Sequence, residues 1–280
     1  LLEKAKDRDY AVGAFNATEL ALVRSVVEQA EESDSPAIIE ASAGEFEFVT
    51  KDFYKYVIER CKDSRVPFAL HLDHGHTVEE CVRAIQAGFT SVMIDGSTLP
   101  YEENVALTKK VVEIAHAAGV TVEGEIGTIG AIGNSDEGGV TNITYTRPED
   151  VVDFVEKTGV DCLAIAIGTA HGIYPKGYTP KLQLELLEEI KKIAPVPLVL
   201  HGGSNNPDDE IAKACKIGIA KVNISSDIKY AYFKKLDEVY KETGGFVPAK
   251  VMGPAIVDTK AVVKNKMELF NSVGKASLYR

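Results

Sequence analysis

Eight short apolar runs rich in valine, isoleucine and alanine punctuate the chain, at residues 10–16, 37–42, 68–74, 91–95, 121–127, 162–168, 197–202 and 220–225. Between them lie stretches in which apolar residues recur at three and four, among them 19–32, 78–87, 102–118, 148–157 and 182–193. The runs read as strands and the stretches as amphipathic helices. Strand and helix in regular alternation is the pattern of parallel strands joined by crossover helices. Eight such units predict an α/β fold, a single TIM (β/α)8 barrel with a C-terminal helical extension after Gly244. An open doubly wound sheet would usually have about five to seven strands and a glycine-rich first turn. Here Ala17-Thr18-Glu19-Leu20 follows the first run. The length of 280 residues suits one barrel domain over 1–280. Two places break the rhythm, the glycine-rich stretch 124–144 and the part after Gly244, and long barrel loops commonly carry function.

Charge narrows the partners. A formal net charge of -11 argues against a nucleic-acid partner, which needs a basic patch to neutralise phosphates. Any anion must be caught locally. Cys61, Cys81, Cys162 and Cys215 are widely spaced without a CxxC pair, which suggests neither a disulfide framework nor a cysteine metal site and fits a reducing cytoplasm. The longest apolar run is far shorter than the roughly 18 to 20 residues that cross a bilayer, and no basic-then-apolar leader opens the chain. The expectation is therefore a cytoplasmic protein with no membrane partner. The chain begins at Leu1 rather than at methionine, which leaves room for a few native residues before it.

A barrel of this type builds its active site at the C-terminal ends of its strands, and the polar residues of this chain gather there. The third run ends Leu70-His71-Leu72-Asp73-His74-Gly75, the sixth passes into Gly168-Thr169-Ala170-His171-Gly172, and the seventh ends Leu200-His201-Gly202-Gly203-Ser204. His74, His171 and His201 thus stand at equivalent heights on three strands. Three imidazoles that leave one position open form a catalytic zinc arrangement, so Zn2+ is the expected metal. A single strand-end histidine more often makes only local hydrogen bonds; three at matching ends reverse that preference. His71, further back on its strand, reads as a packed or supporting residue. His116 falls in a helical repeat and His76 just past a turn, both expected to be solvated.

The seventh and eighth runs lead into Gly202-Gly203-Ser204 and Asn223-Ile224-Ser225-Ser226-Asp227. Barrels often bind phosphate at this place, where glycines admit a close backbone approach and amides and hydroxyls at a helix start donate to an anion. Gly202, Gly203, Ser204, Asn223, Ser225, Ser226 and Asp227 are the candidates. The alternative for the second loop is a plain helix N-cap.

Segments 70–75, 164–172, 200–204 and 220–225, in this order and spacing, resemble the class II, metal-dependent ketose-bisphosphate aldolases. The likeness covers nearly the whole chain and extends to Gly13-Ala14-Phe15-Asn16, to 91–96 and to 123–127. It implies that His74, His171 and His201 hold zinc, that Asp73 is the catalytic acid/base, and that Glu125 is a further or alternate metal contact. It implies that Gly172, Gly203, Ser204, Asn223 and Ser226 contact a dihydroxyacetone phosphate moiety, and Asn16 is counted among the substrate residues. The resemblance also implies a monovalent cation, Na+ or K+, near this phosphate, and a homo-oligomer, dimer or tetramer. In cleavage Asp73 would take the proton of the C4 hydroxyl, and a glutamate on the loop after strand five would return a proton to the dihydroxyacetone phosphate fragment. Ile132 and Gly133 occupy the usual place of that glutamate, so Glu137 is the nearby candidate. The arginine that some relatives use for the second phosphate is replaced near Gly253, with Ser42 and Lys250 as candidate substitutes. Fructose 1,6-bisphosphate is the preferred substrate, with tagatose 1,6-bisphosphate as the alternative, because Ser225 matches neither the acidic residue common in fructose enzymes nor the alanine of tagatose enzymes.

Three other readings compete. A class I aldolase needs a Schiff-base lysine with a pKa lowered by burial, yet Lys221 sits toward the beginning of strand eight and Lys176 and Lys229 lie beyond strand ends. A zinc hydrolase would use Asp73 as base. A phosphosugar-binding barrel without catalysis would keep the pocket and lose the loop acid.

Overall fold

Strands that are covered by helices outside and by barrel side chains inside must be buried at every position. This holds for β1 (Val12–Asn16) and β2 (Ala37–Ser42) from end to end. The structure is a computed structural model and describes residues 1–131, 143–172 and 180–280. Glu137 and Lys176 lie outside the described residues. The further strands are β3 (Phe68–Gly75), β4 (Ser91–Ile94), β5 (Thr121–Ile126), β6 (Gly130–Ala131), β7 (Cys162–Ile165), β8 (Ala170–His171), β9 (Leu198–Leu200) and β10 (Ile219–Ile224). Eight of them, all parallel, close a barrel in the order β1-β10-β9-β7-β5-β4-β3-β2.

A helix follows each barrel strand: Leu20–Ser33, Ala43–Lys62, Val78–Gln86, Tyr101–Ala117, Pro148–Thr158, Leu184–Ile193, Asp208–Ile217 and Ser226–Thr243. Their starts are written locally. Thr77 accepts from the Glu80 amide at 3.2 Å while the Glu80 carboxylate accepts from the Thr77 amide at 3.0 Å, so the helix after β3 opens on a reciprocal cap. The expected C-terminal extension is the helix Pro248–Leu269, which packs on Ser226–Thr243 and Leu20–Ser33. It returns the chain to β1, where the Ala11 amide donates to the carbonyl of buried Phe270 at 3.0 Å. Among the described residues no helix is long and apolar enough to cross a membrane, and all four cysteines are free thiols.

One strand is shorter than its sequence suggests. The apolar run 162–168 leaves the barrel after Ile165, and Ala170–His171 pairs instead with Gly130–Ala131 in a separate two-stranded sheet. Gly168 makes the exit: its φ of +115 is open to glycine, and a Cβ there would stand 2.8 Å from the Lys181 carbonyl oxygen.

Alternation along a strand sends every second side chain inward. His71 and Asp73, Glu123 and Glu125, and Lys221 and Asn223 therefore share the barrel interior. At the end of β3 the alternation is broken on purpose: the register with β4 shifts between Leu72 and Gly75, and His74 takes a left-handed φ of 47. The consecutive residues Asp73 and His74 are both buried at the strand end as a result.

Gly202 holds the loop after β9 against β8. Its φ is +61, and a Cβ would lie 2.7 Å from the Ala170 carbonyl oxygen. Gly202→Ala is expected to destabilise the fold by about 1 to 3 kcal/mol, read as a lower midpoint in thermal or urea unfolding; an unchanged midpoint would contradict this packing.

Candidate metal centre and active site

The three predicted histidines meet. The ligand atoms of His74, His171 and His201 all lie within 4.8 Å of one another, and all three residues are buried. His74 Nε2 and His201 Nδ1 face each other at 2.8 Å. Behind them, His74 Nδ1 donates to Asp95 Oδ2 at 2.9 Å and His201 Nε2 to Glu123 Oε1 at 2.7 Å. His74 and His201 are thus each backed by a carboxylate that fixes the ring and sends its other nitrogen forward, the usual support of a metal-ligating histidine. Two front nitrogens at this distance need a proton between them, and a divalent ion can take that place. Burial works against protonating His74, but Asp73, Asp95 and Glu125 hold it well above the ordinary histidine value, while burial and the His74 charge lower His201.

Glu125 fits the same centre. Its Oε2 is buried without a hydrogen-bond partner and lies 3.7 Å from His201 Nδ1, and with His74 and Asp95 it forms a second group close enough to share an ion. Burial and the neighbouring Asp95 push its carboxyl well above the usual range. A cation would relieve both conditions. The donor set, imidazoles with one carboxylate, suits a borderline divalent metal.

Asp73 is held by two amides from the opposite side. Asn16 Nδ2 donates to its Oδ2 and Asn223 Nδ2 to its Oδ1, each at 2.9 Å. Burial pushes its carboxyl up, but His74, His201, Lys221 and the Asn16 amide outweigh burial and keep it below the ordinary aspartate value. It is a buried, ionised acceptor 3.8 Å from His74 Nε2. The Oδ1 atoms of Asn16 and Asn223 are buried and unpaired, leaving two acceptors beside it.

The glycine and serine loops after β9 and β10 lean on each other. The Gly203 amide donates to the Asn223 carbonyl at 3.0 Å, and Asn206 Nδ2 donates to the carbonyls of Gly202 and Ser204 at 2.6 and 3.0 Å. Ser204 Oγ accepts from the Asp227 amide at 3.3 Å. Asp227 Oδ2 is committed to Lys266 Nζ at 2.8 Å and to the Asn205 amide at 3.3 Å, so this carboxylate ties the loops together. Ser225 is the N-cap position of Ser226–Thr243 and makes no capping bond through its side chain. Gly172 follows His171 with a φ of +101. Ser42 is buried and caps Ala43–Lys62, accepting from the Glu45 amide at 3.5 Å. Lys250 is exposed in the first turn of Pro248–Leu269.

Of the remaining histidines, His76 and His116 are exposed, the latter on Asp161 at 2.8 Å. His71 is buried, with Nδ1 on Ser91 Oγ at 2.8 Å, and burial followed by the Lys221 charge lowers its pKa to about 3. Lys221 lies deep in the barrel between Glu123 at 2.8 Å and Glu40 at 3.5 Å. Burial would lower its pKa, but the two carboxylates outweigh that and raise it, the opposite of what a Schiff-base lysine requires. Asp95, Glu123 and Asn206 were not singled out by their sequence context. The first two could have been found by counting inward positions along β4 and β5.

The family described as "Fructose-bisphosphate aldolase class-II" matches residues 1–275. The fructose-bisphosphate aldolase of Thermus caldophilus is 40% identical over 99% of this chain and 98% of its own length. The probable fructose-bisphosphate aldolase of Bacillus subtilis is 42% identical, covering 99% and 97%. Among solved structures, the YdjI aldolase from Escherichia coli K12 superposes with a TM-score of 0.86 at 33% identity, over 98% of this chain and 97% of that one. A putative fructose-1,6-bisphosphate aldolase from Coccidioides immitis gives 0.88 at 30% identity, over 99% and 96%. A barrel with a triple-histidine centre and full-length matches of this kind mean that the chain belongs to the class-II fructose-bisphosphate aldolase family, and is a lyase.

Proposed function

We propose that the protein reversibly cleaves fructose 1,6-bisphosphate into dihydroxyacetone phosphate and glyceraldehyde 3-phosphate, with Zn2+ held by His74, His171 and His201 and Glu125 as an alternate ligand. The observation that carries this is the pair of front-facing imidazole nitrogens, each backed by a carboxylate, with the third histidine beside them. When bound, the metal supplies Lewis acidity toward the ketose carbonyl.

Asp73 takes the proton of the C4 hydroxyl. The C3–C4 bond then breaks, the aldehyde leaves, and the bonding pair stays with the three-carbon phosphate fragment. Asn16 and Asn223 fix both oxygens of Asp73 and present their own unpaired oxygens to the substrate hydroxyls. Glu137 is the proposed acid that returns a proton to C3. Gly172, Gly202, Gly203, Ser204, Ser225 and Ser226 receive the adjacent phosphate, with Na+ or K+ beside it, while Ser42 stands at the other phosphate. Cytoplasmic location and assembly into a homo-oligomer belong to the same proposal.

Chelation is expected to abolish release of dihydroxyacetone phosphate from fructose 1,6-bisphosphate, and added zinc to restore it. Turnover that survives chelation would sink the metal reading. Fructose 1,6-bisphosphate should show a larger kcat/KM than tagatose 1,6-bisphosphate in parallel assays; the reverse order would move the substrate to tagatose. Asp73→Ala should still bind zinc yet lose about 100 to 10,000-fold in kcat, and a parent-like kcat would remove Asp73 from proton transfer. Asp95→Ala, which takes the support from His74, should weaken zinc binding about 10 to 100-fold in a chelator competition; unchanged affinity would deny Asp95 that task.

A further inference from the structure

Beneath the histidines the barrel interior holds Glu40, His71, Glu123 and Lys221, none more than 2% exposed. Glu123 is the hub. Its Oε1 accepts from His201 Nε2 at 2.7 Å, and its Oε2 accepts from Lys221 Nζ at 2.8 Å and from Cys162 Sγ at 3.5 Å. We propose that Lys221 is a positioning residue for the active site: by claiming one oxygen of Glu123 it fixes the other on His201, which keeps its ring proton on Nε2 and turns Nδ1 toward His74. The inference rests on the metal reading for its consequence and on hydrogen-bond polarity for its logic.

An ionised carboxylate only accepts and an ammonium only donates. Opposite Glu123, His201 must therefore donate from Nε2, which leaves the lone pair on Nδ1, the atom 2.8 Å from His74 Nε2. The contribution of Lys221 becomes visible if position 123 carries an amide. With Lys221 present, the amide has to offer its oxygen to the ammonium and its NH2 to His201, because the reverse sets two buried donors against each other. His201 Nε2 would then accept, its proton would move to Nδ1, and the nitrogen facing the centre could no longer ligate. Without Lys221 the amide can turn, giving its oxygen to His201 and its NH2 to His71 Nε2, which is buried without a hydrogen-bond partner 3.7 Å from Glu123 Oε2.

The experiment compares the parent, Glu123→Gln, and Glu40→Gln/Glu123→Gln/Lys221→Met, the last removing one cation and two carboxylates together so that no charge is left unpaired. Histidine 15N shifts at neutral pH report the His201 tautomer in the metal-free proteins, and competition with a chromophoric chelator reports zinc affinity. The expected tautomers are Nε2–H in the parent, Nδ1–H in Glu123→Gln and Nε2–H again in the triple variant. Zinc affinity should fall about 10 to 100-fold in Glu123→Gln and largely return in the triple variant. A purely structural role would not make affinity recover as further core residues are replaced. An Nδ1–H tautomer in the parent overturns the proposal without any variant having to fold. So does a folded Glu123→Gln that keeps Nε2–H, or a folded triple variant that resembles Glu123→Gln. A parent that shows Nε2–H but binds no zinc defeats the metal reading instead and leaves the tautomer assignment standing.

Discussion

A charge buried away from water costs several kcal/mol unless it is paired and hydrogen-bonded. The interior of this barrel is organised around that constraint. Apolar side chains take part of that interior, with Val12, Ala14, Ile38, Ala164, Val199 and Ala220 in two small clusters. The other inward positions carry Glu40, His71, Asp73, Glu123, Glu125, Lys221 and Asn223, all buried. Lys221 satisfies the lower carboxylates, the two asparagine amides satisfy Asp73, and Asp95 and Glu123 satisfy the histidines. Glu125 Oε2 is left without a partner, at the place where the histidines converge. Among these carboxylates, Glu125 is thus the one whose unpaired oxygen faces the converging imidazoles, where a cation would compensate it.

Backbone geometry does the rest of the positioning. Strict alternation would point only one of Asp73 and His74 inward, so two side chains of one centre could not be neighbours in sequence. The left-handed residue at 74 and the register shift beside it remove that restriction. Such a conformation is unfavourable for a residue with a Cβ by roughly 1 to 3 kcal/mol, and it persists because the His74–Asp95 bond and the surrounding strands over-determine it. The same reasoning applies to Gly168 and Gly202, which let β8 swing out of the barrel and bring His171 to the other two histidines.

The eight strands were legible because each is a short run rich in apolar residues set between stretches of helical periodicity, a pattern that leaves few topologies open. His74, His171 and His201 were legible because polar residues at strand ends stand out against that background. Asp95 was harder to see, since an aspartate before a glycine also reads as an ordinary turn. Glu123 and Lys221 fall on strands in the sequence, but only barrel closure shows that positions 98 residues apart meet as an ion pair. The early end of the sixth run could not be read either: Ala166 and Ile167 are apolar and buried whether or not they pair in the barrel. Asn16 and Asn223 were marked for substrate, and the structure adds that their amides first serve Asp73.

An acidic chain that handles a phosphorylated ketose must separate attraction from net charge. With a formal net charge of -11, long-range steering opposes the substrate. In the proposed function, the short-range donors are serine hydroxyls and backbone amides at the start of the helix Ser226–Thr243, where the peptide dipoles also favour an anion. Asp227 at the same helix start would repel a phosphate if its carboxylate were free. Lys266, reaching across from the C-terminal helix, pairs with it at 2.8 Å and offsets its charge. The extension after the barrel thus reaches the loop after β10 through one buried lysine, so Pro248–Leu269 braces that loop as well as covering β1.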